Sequence, residues 1–223
     1  MRPTPLGVTL APMSIGRIIK TDACVAEGAA WLAARDARIA RALELTGPLP
    51  LRRRKDGFDE LLSAIVSQQV SVASAKAIWG RMKTARLTGP RQITRASDDD
   101  LRGVGLSRQK IRYARALADA RIDFKGLRDL PDVEVMTTLI KVPGIGPWTA
   151  EIYAMFSLGR ADVFAPGDLA LQEAARILFD LPDRPKEREF RVMAQQWSPW
   201  SSVAARLLWS YYRVAKDREG IAL

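Results

Sequence analysis

The sequence predicts an all-α fold, and three observations carry this prediction. Apolar residues recur at helical spacing through most of the 223 residues, Pro and Gly separate the periodic segments, and no convincing period-two alternation marks a strand. We expect about eight to ten helices. A chain of this length suits one domain or two small lobes that share a core.

The helices follow one another between clear breaks. Residues 1–21 predict an irregular lead, because three prolines and Gly16 interrupt it. Further on, Leu61 and Ile65 begin an apolar stripe on one helix face, and Ser97 with Asp100 resembles a capping box. The predicted helices span residues 22–45, 59–66, 72–84, 107–120, 131–140, 148–158, 168–179 and 199–214.

Basic residues outnumber acidic residues by a wide margin. The chain has 35 Lys and Arg against 25 Asp and Glu, which gives a formal net charge of +10 and a pI near 10.2. Such an excess favours a polyanionic partner, because each phosphate that a protein neutralises releases condensed counterions. Solubility alone is the alternative explanation.

The residue types that the chain lacks exclude several kinds of chemistry. It has no His, and Cys24 is its single cysteine. These facts exclude an intrachain disulfide, a Cys-ligated zinc or iron–sulfur centre, and a Ser-His or Cys-His catalytic pair. The chain shows neither a signal peptide nor an apolar run near the ~18 residues of a membrane span. We therefore expect a soluble cytoplasmic protein, nucleoid-associated if bacterial, with no membrane partner.

The segment 139–171 has the most specific pattern in the chain. It predicts a helix, a tight hairpin with the sequence PGIG at residues 143–146, and a second helix. Gly144 and Gly146 allow a sharp turn and a close approach to another surface. The free N–H groups that begin the second helix suit a DNA phosphate, often with a bound cation. An ordinary helix–turn–helix corner without a ligand is the alternative.

Trp148-Thr149-Ala150 follows the hairpin, and the sequence DVFAPGD at residues 162–168 ends in an aspartate. Together with the hairpin, these residues resemble the helix-hairpin-helix DNA glycosylase superfamily, and above all its 3-methyladenine DNA glycosylase II family. Three more segments match this family, and the resemblance covers about residues 22–215. Since no β-rich domain precedes the helices, the resemblance implies the compact form. The three matching segments are FDELLSAIVSQQVSV at 58–72, LRGVGLS at 101–107, and WSPWS at 197–201.

The resemblance implies that Asp168 is the catalytic carboxylate. Breaking a purine glycosidic bond builds positive charge on the sugar, and a nearby carboxylate stabilises that charge and orients water. Asp168 is also a favoured N-cap after Pro-Gly, and the two roles are compatible. We expect Asp162, the other nearby carboxylate, to be structural and to bond loop backbone.

Trp148 stands where bifunctional relatives that resemble endonuclease III carry a Schiff-base lysine. Hydrolysis that leaves an abasic site, without strand cleavage, is therefore implied. Trp148 and Trp209 are candidate walls of the base pocket, because a cationic alkylated purine is attracted to an aromatic face. Core packing is the alternative for both.

The resemblance also assigns a DNA-contacting surface. Gln69 matches the position of the residue that fills the space left by an extruded base, although some members have an apolar residue there. Gln68 either packs in the loop or contacts DNA. The other expected DNA contacts are Gly103, Gly105, Lys110, Val142, Gly144 and Gly146. The backbone carbonyls of Val142 and Ile145 are candidate ligands for a monovalent cation, and no organic cofactor is expected.

The expected protein is a monomeric glycosylase that flips alkylated purines such as 3-methyladenine or 7-methylguanine out of duplex DNA. Two helical lobes would flank the active cleft, one from residues 59–165 and the other from residues 22–58 with 166–223. Two alternatives stay open. One is the same scaffold acting on hypoxanthine, ethenoadenine or uracil, and the other is a non-catalytic DNA-binding module.

Overall fold

The computed structural model describes residues 15–218, and these residues form an all-α fold, as the sequence predicts. Within them the extended pairing is limited to one isolated bridge between Ile18 and Arg160. The α-helices are α1 Asp22–Ala33, α2 Ala37–Thr46, α3 Phe58–Ser67, α4 Val72–Thr84, α5 Pro90–Arg95, α6 Asp98–Gly103, α7 Arg108–Asp119, α8 Asp132–Ile140, α9 Pro147–Tyr153, α10 Leu169–Leu178, α11 Glu187–Ala194 and α12 Ser201–Arg218.

The predicted helix over 22–45 is wrong, because the structure divides this segment into α1 and α2. The first helix ends at Ala33, and Asp36 caps the second, since its Oδ1 accepts from the backbone N–H of Arg38 at 2.8 Å. A side chain that bonds nearby backbone in this way competes with helix continuation. The overall apolar periodicity of the segment conceals this local break.

Two helices have no counterpart among those predicted. The helix α5 has six residues, of which Ile93 is buried, and α11 buries Phe190 and Ala194. With six and eight residues, both helices are shorter than the roughly 11 residues over which apolar periodicity is judged. The capping box at Ser97 and Asp100 is confirmed as the start of α6.

The segment after α9 departs from a plain helix. Residues Ala154–Leu158 form one π-helical turn that ends at Gly159, whose φ is 79°. Every residue of this turn is buried. Single π turns inside helices are frequent at functional sites, and this one supplies Phe156 and Ser157 to the pocket described below.

The core is continuous through the described residues, and α12 passes through it. Val203, Ala204 and Leu207 of α12 are fully buried, and the helix packs on α1, α2 and α10. In the other half, α7 packs on α3 and α5, and α8 packs on α9. The division into lobes at residues 58 and 165 stays a prediction.

The irregular lead is anchored where the structure describes it, at residues 15–21, while residues 1–14 lie outside the described part. Arg160 is fully buried and donates to the carbonyl of Ile15 at 2.7 Å, and the N–H of Ile19 donates to Gly159 at 2.7 Å. Among the helices of residues 15–218, none is both long and apolar enough to cross a bilayer.

Candidate active site

A pocket of about 290 Å³ lies where α3, α9, the π turn, the start of α10 and α12 meet. We call it the Asp168 pocket. Its walls combine aromatic rings with charged and hydroxyl groups, and they come from segments far apart in the sequence. Among the lining residues are Arg54, Glu60, Trp148, Phe156, Asp168 and Trp209.

Asp168 both caps a helix and faces this pocket. Its Oδ1 accepts from the backbone N–H groups of Ala170 and Leu171, at 3.0 Å each, and so caps α10. The same oxygen accepts from the indole Nε1 of Trp209 at 3.2 Å, and Oδ2 accepts from Trp148 Nε1 at 2.9 Å. The cap explains why the chain turns here, and the indoles fix the orientation of the carboxylate inside the pocket.

The two indole rings occupy different environments. Trp148 stands in the first turn of α9 with 46% of its surface exposed, so core packing does not describe it. Trp209 is half-buried, packs against the core, and lies with its ring centroid 5.7 Å from that of Phe156. Both rings line the Asp168 pocket.

Arginines surround one side of the pocket. Arg52 and Arg54 line it, and Arg52 has a left-handed backbone with φ of 51°. Partial burial, with repulsion from Arg213 and Arg54, lowers the pKa of the Arg52 guanidinium. Buried Arg206 holds the preceding carbonyl of Leu51 at 3.1 Å and 3.2 Å. Arg52 and Arg54 give this side of the pocket positive charge, which Glu60 partly neutralises by accepting from Arg54 at 3.2 Å.

A second concavity adjoins the pocket, and we call it the hairpin groove. It is lined by residues of the α3–α4 loop, of the turn before α7 and of the turn between α8 and α9. The two concavities meet along the chain, since Ser67 lines the pocket while Gln68 lines the groove. Gly146 in the groove is likewise two residues from Trp148 in the pocket.

Gln68 and Gln69 have different roles in this loop. The side-chain Nε2 of Gln68 donates to the carbonyl of Gly144 at 2.9 Å, which ties the loop to the α8–α9 hairpin. Gln69 is exposed and has a left-handed backbone with φ of 55°. Gln68 is therefore held by the protein, while the side chain of Gln69 is free to meet a ligand.

The hairpin requires glycine at one of its two glycine positions. Gly144 has φ of 93°, and a Cβ there would lie 2.4 Å from the ring of Tyr113. Gly146 has an ordinary backbone, and a Cβ there would meet nothing within 4 Å. Gly105, in the turn before α7, also has a left-handed backbone, with φ of 101°. A Cβ there would lie 2.5 Å from the guanidinium of Arg81.

Some residues expected to contact DNA or a cation lie deeper than the sequence suggested. Lys110 is only 9% exposed and its Nζ donates to the carbonyl of Val66 at 2.6 Å, while burial lowers its pKa. Val142 and Ile145 have buried side chains, and the N–H of Ile145 donates to the carbonyl of Val142 at 3.0 Å. Gly103, the last residue of α6, is exposed. DNA contact stays a prediction for Lys110, Val142 and Gly103, as does cation binding by the carbonyls of Val142 and Ile145.

Comparison with known proteins identifies the family of this chain. The family model described as HhH-GPD superfamily base excision DNA repair protein matches residues 62–200. The chain belongs to this superfamily. The match includes the three turns of the hairpin groove, Trp148 and Asp168, and it ends before Trp209.

Relatives of this HhH-GPD protein are similar over most of its length. A Bacillus subtilis protein provisionally named as a DNA-3-methyladenine glycosylase is 32% identical over 165 residues, which are 68% of this chain but 58% of the relative. A Bacillus halodurans DNA-3-methyladenine glycosidase structure has a TM-score of 0.77 at 33% identity, covering 92% of this chain and 95% of that one. A Schizosaccharomyces pombe 3-methyladenine DNA glycosylase in complex with abasic DNA has a TM-score of 0.71 at 29% identity, covering 82% and 95%.

Sequence reasoning missed several pocket residues of the HhH-GPD protein. Tyr153 and Phe156 line the pocket from the end of α9 and the π turn, and burial raises the pKa of the Tyr153 phenol, which accepts from Gly57 N–H at 2.9 Å. Ile152 and Phe156 follow Trp148 at intervals of four. That helical spacing was a signal that could have identified this wall. Glu60 gave no comparable signal.

Asp162 is structural, but not through loop backbone as expected. Its carboxylate accepts from the hydroxyls of Ser198 at 2.5 Å and Ser201 at 2.6 Å. These bonds tie the segment before Asp168 to the start of α12.

Within residues 15–218, no group of three or more His, Cys, Asp or Glu side chains could hold a metal ion.

Proposed function

We propose that this HhH-GPD protein is a DNA glycosylase that removes alkylated purines from duplex DNA and leaves an abasic site. The substrate would be a base of the 3-methyladenine or 7-methylguanine type, flipped out of the helix. The observation that carries the proposal is Asp168, held by two indoles in a pocket that adjoins the hairpin groove. A pure DNA-binding module has no use for a carboxylate oriented in this way.

The chemistry follows from where charge develops. As the glycosidic bond breaks, its electron pair leaves with the base and positive charge grows on the sugar. Asp168 offers a fixed negative charge to that sugar and can orient the attacking water. Trp148, nearly half exposed, offers an aromatic face to a cationic base before the bond breaks. An alkylated purine is a ready leaving group, so modest stabilisation suffices.

Simple hydrolysis, with no strand cleavage, is supported by the composition of the pocket. A lyase step needs an amine that forms a Schiff base. No lysine is among the pocket-lining residues within the described part of the chain. The amine of Lys110, in the neighbouring groove, is engaged by the Val66 carbonyl.

The hairpin groove would hold the duplex. The N–H groups that begin α9 after Gly146, and α7 after Ser107, are suited to phosphates. Gln69, exposed at the loop tip, would fill the space of the flipped base. The backbone carbonyls of Val142 and Ile145 would coordinate a monovalent cation, which would supply positive charge to a phosphate there, although the Val142 carbonyl already accepts from Ile145 N–H. Such a protein would act as a monomer in the cytoplasm, at the nucleoid in a bacterium.

The test uses duplex DNA that contains 7-methylguanine. Incubation with the protein should release the free base and leave sites that break only after alkali treatment. Strand breaks before alkali would contradict the monofunctional reaction. Intact duplex binding without release would overturn the substrate assignment, and release of hypoxanthine, ethenoadenine or uracil instead would assign another lesion to the same scaffold.

A further inference from the structure

One face of α3 forms a polar wall of the Asp168 pocket. Glu60, Ser63, Ala64 and Ser67 all line it, and their spacing of three, four and seven residues places them on one side of the helix. Glu60 is the acidic member of this wall. Its side chain keeps 26% of its surface exposed, so a molecule in the pocket can reach it.

The two carboxylates of the pocket differ in how fully they are engaged. Asp168 accepts from two backbone N–H groups and two indoles. Glu60 accepts from Arg54, whose Nη1 lies 3.2 Å from Oε1 and whose own side chain is 55% exposed. Exposed ion pairs of this kind contribute little free energy. A cationic ligand can therefore compete with Arg54 for Glu60 at little cost.

The alternative is that Glu60 only stabilises α3, and this role can be distinguished from a role in the pocket. Glu60 lies in the first turn of α3, where a negative charge favours the helix dipole. Asp59 lies in the same turn and supplies the same charge, but it is exposed and does not line the pocket. Either residue can stabilise the helix dipole, whereas only Glu60 of the two lines the pocket.

We propose that Glu60 is a specificity-determining residue that selects bases carrying a positive charge, an inference that rests on the function proposed above. Alkylation at N3 or N7 of a purine nucleotide makes the base cationic, and Glu60 attracts that cation into the pocket. A neutral lesion of similar size, such as hypoxanthine, gains nothing from Glu60.

The charge balance of the reaction decides which step Glu60 affects. When the glycosidic bond breaks, the electron pair neutralises the base and the positive charge moves to the sugar. The attraction to Glu60 is therefore strongest before the bond breaks and fades as it does. Interactions that are stronger in the ground state increase binding but not the chemical rate. Glu60 acts on capture of the flipped base, and Asp168 acts on the bond.

The experiment compares wild type, Glu60→Gln and Asp59→Asn under single-turnover conditions. Each protein is titrated in excess over duplexes that carry either 7-methylguanine or hypoxanthine, which gives a plateau rate and a half-saturating concentration for each lesion. Glu60→Gln should raise the half-saturating concentration for 7-methylguanine about ten-fold, a loss typical of one partly screened charge pair. The ratio of the half-saturating concentration for hypoxanthine to that for 7-methylguanine, which measures the preference for the cationic lesion, should fall by the same factor. Asp59→Asn should keep the wild-type preference.

Other results overturn the inference. An unchanged preference in Glu60→Gln, an equal loss for both lesions, or an equal loss of preference in Asp59→Asn would show that Glu60 supports the helix rather than the choice of base. If wild type releases 7-methylguanine in these cases, the proposed function stands without the role of Glu60. If wild type releases no alkylated base at all, the proposed function fails and this inference fails with it.

Discussion

The hairpin groove and the Asp168 pocket are neighbours built in opposite ways. The groove is formed from backbone turns, with left-handed glycines at positions 105 and 144 and side chains that hold one turn against another. The pocket is formed from side chains that come from the 52–54 loop, α3, α9, the π turn, α10 and α12. Local sequence patterns predict each turn of the groove, although the fold must bring the three turns together. Most walls of the pocket have no such local pattern.

This difference predicts a separation of roles. Turns that present N–H groups suit the phosphate backbone, which is the same for every base. Side chains that enclose a small volume suit the one base that differs. Changes in the groove should therefore alter affinity for any duplex, and changes in the pocket should alter the capture or the excision of the lesion alone.

The largest expected effect is on excision by Asp168→Asn. Asn caps helices about as well as Asp, so α10 should keep its start and the protein its fold. The negative charge is lost, and excision of 7-methylguanine should slow by about 100-fold or more. Single-turnover rates measure this effect. A rate close to that of wild type would mean that another carboxylate does the chemistry.

The next effect should appear in the groove. Gly144→Ala places a Cβ 2.4 Å from the Tyr113 ring on a left-handed backbone, so the hairpin must shift. Duplex affinity should fall by about ten-fold, and stability by roughly 1–3 kcal/mol, as overpacking generally costs. Fluorescence anisotropy with lesion-free duplex measures the affinity. Gly146→Ala is the matched control, because its Cβ meets nothing, and equal losses in both variants would refute the explanation.

These two regions also differ in how far the sequence could predict them. The hairpin, the turn before α7 and the Gln68–Gln69 loop all depend on short-range patterns, and all line one groove. In the pocket, the sequence indicated Asp168, Trp148 and Trp209. Glu60 could not be found, because its place in the pocket depends on how α3 packs rather than on any local spacing.

Errors in the predicted fold have the same origin. Periodicity detected helices with a continuous buried stripe, such as α3, which buries five residues. It overlooked the short helices α5 and α11, and the break before Asp36, which depends on one capping side chain. The burial of Lys110 was equally invisible, since a basic residue in a basic helix normally indicates a solvated face.

A smaller effect should come from removing one donor to Asp168. Trp148→Phe keeps an aromatic ring in the pocket but deletes the Nε1 bond to Oδ2. Three other donors still hold the carboxylate, so excision should slow by about five-fold, within the range for the net contribution of one typical hydrogen bond. Duplex affinity should stay unchanged. Trp79→Phe, outside the pocket, is the control, and an equal loss there would point to general destabilisation.

The smallest effect on excision is expected from Glu151→Gln, which affects stability instead. Glu151 is buried in α9, where Arg191 donates to it at 3.1 Å and also contacts Glu187. Burial raises its pKa from 4.5 to about 7. Because the folded state then binds its proton more tightly, stability falls as pH rises from 4.5 to 7, by up to roughly 3 kcal/mol, and levels off above.

Urea unfolding of wild type and Glu151→Gln between pH 4.5 and 8 measures this difference. The variant should gain stability relative to wild type as pH rises, since it has no carboxylate to ionise in the interior. Excision rates should stay within about two-fold, as the residue lines neither the pocket nor the groove. A constant difference across this pH range would show that Glu151 does not titrate there.

The most direct test of the separation between groove and pocket is the dependence of the single-turnover excision rate on enzyme concentration. Gly144→Ala should need more enzyme but reach the wild-type plateau, because its pocket is intact. Asp168→Asn should saturate at the wild-type concentration and stay far below that plateau. If excess enzyme restores Asp168→Asn, or if Gly144→Ala saturates at a low plateau, binding and chemistry are not divided between the two regions.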